Sequence, residues 1–165
     1  MKSNLVITIA TKREILTLAY EELSGIAQRA YAEDGTSLYD GIVPHSGDVA
    51  RMCLMVDEAT GLLMERLRLV LDSYDVKPNA AFFAPAEEGD EVRGDLHRIF
   101  VSTPDLPGDG TVAMDVRRYL VLYLVAQFTR ERYKTVAEEY GKMCASQLTL
   151  AVGGLLRRKT PIRRC

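Results

Sequence analysis

The chain has no tryptophan, only two histidines and three cysteines among its 165 residues, and each scarcity excludes a class of chemistry. Cys53, Cys144 and Cys165 are odd in number, widely spaced and form no C-x-x-C pair; this argues against a disulfide framework and a zinc site and fits a reducing compartment. Two histidines, His45 and His97, do not supply the paired Glu-x-x-His helices of a di-iron or di-manganese bundle. Long apolar runs are missing too. The longest, Tyr119 to Ala126, falls far below the roughly 20 residues that cross a bilayer. The start, Met1 to Ala10, is interrupted by Thr8 and does not match a secretory leader, so the chain is expected in the cytoplasm. No membrane partner is indicated.

Excess charge of one sign is also lacking: 21 basic and 23 acidic residues leave a formal −2, which excludes wholesale coating of nucleic acid or anionic membrane. The balance is uneven along the chain, however. Arg157, Arg158, Lys159, Arg163 and Arg164 crowd the last nine residues with no acid among them, leaving 16 basic against all 23 acidic residues elsewhere. The tail is thus +5 on a body of −7. An acidic cluster, Glu87, Glu88, Asp90 and Glu91, is the natural counterpart. Cations suit a helix C-terminus through its macrodipole, but five exceed what capping needs, so the tail is either a capping feature or a docking arm for an acidic surface or a phosphate backbone.

Apolar residues make up 47% of the chain and charged ones 27%, a globular composition. A chain of this length buries roughly 70% of the surface its unfolded form exposes. The periodicity predicts a mainly α, α+β domain over 1–158 with a basic tail over 159–165. Leu5 to Ala10 alternates as a short strand. Thr11-Lys12-Arg13-Glu14 is a capping box that opens a helix over about 12–32, with Ile15, Leu16, Leu18, Ala19, Leu23, Ile26 and Ala30 inward. A loop over 34–47 is pinned by Leu38, Tyr39, Ile42 and Val43. Ser46 or Asp48 caps a second helix over about 47–75, where Val49, Val56, Leu63 and Val70 recur every seven residues with Cys53, Leu67 and Tyr74 between. Gly61 inside it predicts a close neighbour or a slight bend. Strands over 80–84 and 96–102 form a hairpin candidate, joined to the third helix by the Pro/Gly link 103–110. That helix, about 112–130, is apolar almost all round, with Val116, Tyr119, Leu120, Tyr123, Leu124, Gln127 and Phe128 inward, as a central bundle helix should be. The fourth, about 132–158, carries Val136, Tyr140, Met143, Cys144, Leu148, Ala151 and Leu155 on its core face.

No constellation carries catalysis. His45-Ser46-Gly47-Asp48 holds the side-chain types of a hydrolase triad, but triad members come from separate elements and the serine lacks its G-x-S-x-G elbow; helix capping explains the run. Gly108-Asp109-Gly110 lacks the third glycine of a dinucleotide fingerprint, and Gly153-Gly154-Leu155 lacks a Walker lysine. The acids Glu21-Glu22, Asp57-Glu58 and Glu138-Glu139 are expected as solvated faces, and Cys144 as core. The expectation is a non-enzymatic protein with no cofactor, metal or small-molecule substrate. A site assembled from scattered residues would escape this kind of reasoning.

The order of elements resembles small prophage-encoded proteins of Bacteroides-type bacteria, through Leu5 to Ala10, the apolar run Arg118 to Phe128, and the ending Arg158-Lys159-Thr160-Pro161-Ile162-Arg163-Arg164. Such proteins are similar to the helical head-tail connectors of tailed phages. The resemblance implies a structural subunit that forms rings or collars with itself or with other phage structural proteins, first in the host cytoplasm and then in the virion. A cytosolic regulatory module that binds nucleic acid through the tail is the alternative.

Overall fold

The computed structural model describes residues 5–72, 83–84, 98–103 and 111–156. Its body is mainly helical. Four helices carry the core: α1 (Lys12–Ala27), α3 (Val49–Asp72), α4 (Thr111–Thr129) and α5 (Lys134–Leu156), with a short α2 (Tyr39–Ile42) between the first two. Three short extended backbone segments accompany them, Leu5–Thr11, Phe83–Ala84 and Arg98–Thr103. The predicted segments 80–82, 96–97 and 73–75, the link 104–110, the acidic cluster 87–91 and the tail 157–165 lie outside the described residues.

α4 is the axis of the bundle because its sequence leaves no polar face over Tyr119–Ala126; every residue in that run is buried. It touches α1, α3 and α5, and Leu120, Leu124 and Val125 have no exposed surface. Gln127, expected inward, is only half-buried, because an amide at the rim keeps its hydration there. The core side of α3 is Met52, Met55, Val56, Ala59, Leu63 and Leu67. The seven-residue stripe therefore holds at Val56 and Leu63, but Val49 opens the helix beside solvent at 43% exposure. Two buried threonines, Thr60 and Thr129, satisfy their hydroxyls within these helices, each donating to the carbonyl four residues back at 2.7 Å.

α1 begins where the capping-box pattern places it but stops at Ala27, five residues short of the expected end. The reason lies in the backbone. Ala32 N–H donates to Thr36 O (2.8 Å) and Leu38 N–H to Ala30 O (3.0 Å), closing a small hairpin that takes residues 30–38 out of the helix. Gly35 turns it with φ +82°, a conformation open to glycine, and Asp34 accepts from Thr36 N–H at 2.9 Å, which lowers the carboxyl below its ordinary range. Ile42 and Val43 then enter the core, with Leu38 half-buried, while Tyr39 stays 39% exposed instead of pinning the loop.

Gly61 is exposed and has no neighbour within 4 Å of a Cβ built on it, which removes the close neighbour, the first of the two alternatives the sequence offers. Gly154 is the contrary case, since its Cβ would meet Val112 Cγ2 at 3.3 Å. Gly61→Ala is expected to stabilise the fold by up to about 1 kcal/mol, with Gly154→Ala gaining less or losing. Chemical denaturation of both variants checks this, and equal gains would contradict the packing of α5 on α4.

Candidate functional site

The expected site residues Arg157, Arg158, Lys159, Arg163 and Arg164, together with Glu87, Glu88, Asp90 and Glu91, lie outside the described residues. Within the described body, ionisable groups gather in three places, all between helices.

The first is an open groove of about 410 Å³ between α1 and α4, with Leu18, Glu21, Glu22, Met114, Arg117, Arg118 and Val121 along it. It runs on toward Arg13, Glu14 and Thr17. Leu18 (37%) and Met114 (67%) expose apolar surface there, so Leu18 is a groove residue and not the core residue its spacing predicts. At the groove edge Glu22 accepts from Arg118 Nη1 (3.3 Å) and from Tyr140 Oη (2.8 Å). One carboxylate thus ties α1, α4 and α5 together. Burial, then the bond to Glu22, pushes the Tyr140 phenol up to about 12.

The second is a polar seam where α3 meets its neighbours. Lys12, 7% exposed, pairs its ammonium with Asp57, and Tyr119 Oη donates to Ala59 O at 2.9 Å. Burial raises the Tyr119 phenol far above its usual range, and burial followed by the Glu58 hydrogen bond pushes Tyr123 up to about 12. Cys144 is buried as predicted, and burial pushes its thiol up to about 11. A thiol held protonated at neutral pH is not a nucleophile.

The third is the α4–α5 turn. Arg132 donates to Gly41 O and lies 5.6 Å from the Phe128 ring centroid, and Arg51 stands 3.8 Å from Glu131. His45 and Asp48, drawn from the triad-like run, serve the backbone: Asp48 Oδ2 accepts from His45 N–H at 2.8 Å, and the His45 ring Nε2 lies 3.3 Å from Asp40 O. The run forms a single 3-10 turn, Ser46–Asp48, directly before α3, with His45 at its N-cap and Asp48 in its third position, so the capping serves this turn and the N-cap is His45, not the Ser46 or Asp48 that the sequence predicts.

Glu22 and Asp57 depart from the expected solvated faces. Sequence reasoning missed them because their partners, Arg118, Tyr140 and Lys12, lie 45 to 118 residues away. Glu21, Glu138 and Glu139 are exposed as expected. No group of three or more His, Cys, Asp or Glu among the described residues could hold a metal ion, and no described helix is long and apolar enough to cross a membrane. What the groups above can do chemically is orient and lock helices. Compared with known protein families, curated proteins and solved structures, the chain matches none.

Proposed function

We propose that this protein is a non-enzymatic assembly subunit that works by binding further copies of itself or neighbouring structural proteins, in the manner of a phage or prophage head-tail connector. The observation that carries the reading is the charge split: five cations in the last nine residues against an acidic body that includes Glu87, Glu88, Asp90 and Glu91. A tail of one copy on the acidic cluster of the next is a heterologous contact, which closes into a ring when the rotation permits. The helical body supports this role. Glu22–Arg118–Tyr140 and Lys12–Asp57 join α1 to the other three long helices, giving a stiff block of the kind a ring needs.

The proposal includes a small sheet over 5–10, 80–84 and 96–102. Antiparallel backbone register from Leu5↔Thr103 to Thr11↔Arg98, with a shift between Thr8 and Ala10, and the pairs Phe83↔Ile99 and Ala84↔Arg98, support it.

Sedimentation of three proteins tests the mechanism: the full chain, a chain lacking residues 157–165, and a chain with Glu87→Gln, Glu88→Gln, Asp90→Asn and Glu91→Gln. Both variants are expected to lose assembled mass and its salt dependence. If both assemble as the full chain does, the charge contact is wrong. The five tail cations also favour the second reading, nucleic-acid binding, which predicts a gel shift that weakens steeply with added salt and is lost with the tail.

A further inference from the structure

The outer side of α3 carries a pattern that the described fold does not use. Its inner side packs into the core, and its flanks are joined to their neighbours by Asp57, which pairs with Lys12, and by Glu58, which accepts from Tyr123. The side turned away from the core holds two exposed leucines, Leu54 at 69% and Leu62 at 41%. Single exposed leucines need no explanation. These two lie on one strip of the helix, among charges of both signs set in a particular order.

Arg51, Leu54, Glu58, Leu62 and Glu65 follow one another by three, four, four and three residues, and all five are exposed. Steps of three and four stay on one side of a helix; at 3.6 residues per turn these five fall within an arc of about 80°. The spacing is symmetric about Glu58. A leucine stands four residues to either side of it, and seven residues away lie a base at one end and an acid at the other. Such a strip complements itself when turned end for end: antiparallel, the base meets the acid twice and leucine meets leucine twice, whereas parallel pairing sets base against base and acid against acid. Charge order, and not apolar surface alone, therefore selects the occupant. Arg51 is free to join this contact, since Glu131 stands at 3.8 Å, the long limit of an ion pair, and 46% of the arginine side chain is exposed; a guanidinium has five N–H donors to share.

We infer that α3 pairs antiparallel with α3 of a second copy of this chain, across a two-fold axis at Glu58. In that arrangement Arg51 faces Glu65 of the other copy, and Leu54 faces Leu62. The contact is isologous, so each pairing occurs twice. The two Glu58 carboxylates approach each other at the axis, each already accepting from Tyr123 of its own chain, and the repulsion left between them opposes the dimer. The strip is about 21 Å long at 1.5 Å per residue and buries less than the roughly 800 Å² per partner of a standard interface. The dimer therefore forms and dissociates with concentration, and the dilute chain is a monomer. This goes beyond the tail contact proposed above, since it uses neither residues 157–165 nor Glu87 to Glu91.

A sedimentation-equilibrium dilution series is the test, with far-UV circular dichroism confirming that each variant keeps its helices. The full chain is expected to pass from 18.4 kDa to twice that mass as concentration rises. Arg51→Glu and Glu65→Arg, each alone, place like charges at both ends and are expected to weaken the dimer about tenfold. An equimolar mixture of these two variants is expected to regain the parent affinity, because each chain then meets the opposite charge at both ends of the other. Leu62→Glu is expected to weaken the dimer as well. Glu58→Gln keeps an acceptor for Tyr123, removes the repulsion at the axis and is expected to tighten the dimer about threefold. Four results would overturn the inference: a full chain that stays at 18.4 kDa throughout, a mixture no tighter than either charge variant alone, a dimer indifferent to Leu62→Glu, or one that Glu58→Gln fails to tighten. Association lost on deleting residues 157–165 but untouched by the α3 variants would assign self-contact to the tail and reject the strip.

Discussion

Leu120→Ala is expected to cost the fold about 3 kcal/mol, within the range for deleting a buried leucine side chain. The residue has no exposed surface and sits in the stretch of α4 that is buried all round, so the cavity cannot open to water and its lining has no free side toward which to relax. For a domain of this size the loss lowers Tm by about 10 °C. Leu54→Ala is the control. At 69% exposure on α3, it should stay within about 0.5 kcal/mol of the parent. Urea unfolding of the two variants measures the contrast directly, and a Leu120 variant no weaker than the Leu54 variant would contradict a bundle built around α4.

The second large effect is alkaline unfolding. Burial raises the Tyr119, Tyr123 and Tyr140 phenols above the ordinary 10.0, the latter two to about 12, and raises the Cys144 thiol from 9.0 to about 11. The folded protein therefore holds these protons more tightly than the unfolded chain. Stability from them is complete below about pH 8, beneath the ordinary 9.0 of the thiol and 10.0 of the phenols, where both states are protonated. It is lost as pH rises through 9 and 10 toward 12, because the unfolded chain releases its protons first, the thiol before the phenols. Tyr123 and Tyr140 reach some solvent, so the combined loss is on the order of a few kcal/mol. The absence of tryptophan among eight tyrosines makes near-ultraviolet tyrosinate absorbance a clean reporter. A late ionisation step that coincides with loss of the helical signal is expected, and Tyr140→Phe should remove one phenol from it. Ionisation of all eight tyrosines while the helices remain intact would refute this burial pattern.

How legible each part was in the sequence follows from how local its causes are. α4 could be read because an apolar surface all round has one physical outcome, burial on every side. The start of α1 could be read from Thr11-Lys12-Arg13-Glu14, since a cap is a local device. Its end could not, because Ala30 and Ala32 leave the helix for backbone partners at Leu38 and Thr36, and backbone hydrogen bonds have no side-chain signature. The α3 stripe marked Val56, Leu63 and Leu67 correctly but not Met52, Met55 and Ala59, since packing against several neighbours needs a wider face than a strict seven-residue repeat supplies.

The candidate sites divide in the same way. Burial of Cys144 was readable from local pattern, and so was a capping role for the His45–Asp48 run, though the N-cap is His45 of a 3-10 turn and not Ser46 or Asp48. Glu22, Asp57 and Lys12 were not, since a charged residue on a helix looks the same in sequence whether it meets water or a partner 96 residues along the chain. Met143 shows the converse error: its spacing fits the core side of α5, yet it is 39% exposed. The charge split between body and tail was legible from composition alone.

Self-association is the central claim, and the mass of the full chain in solution, measured by sedimentation at low and at molar salt, tests it most directly. The account predicts multiples of 18.4 kDa at low salt and a fall toward smaller species as salt screens the charged contacts. A mass of 18.4 kDa in both, at every concentration reached, would contradict it.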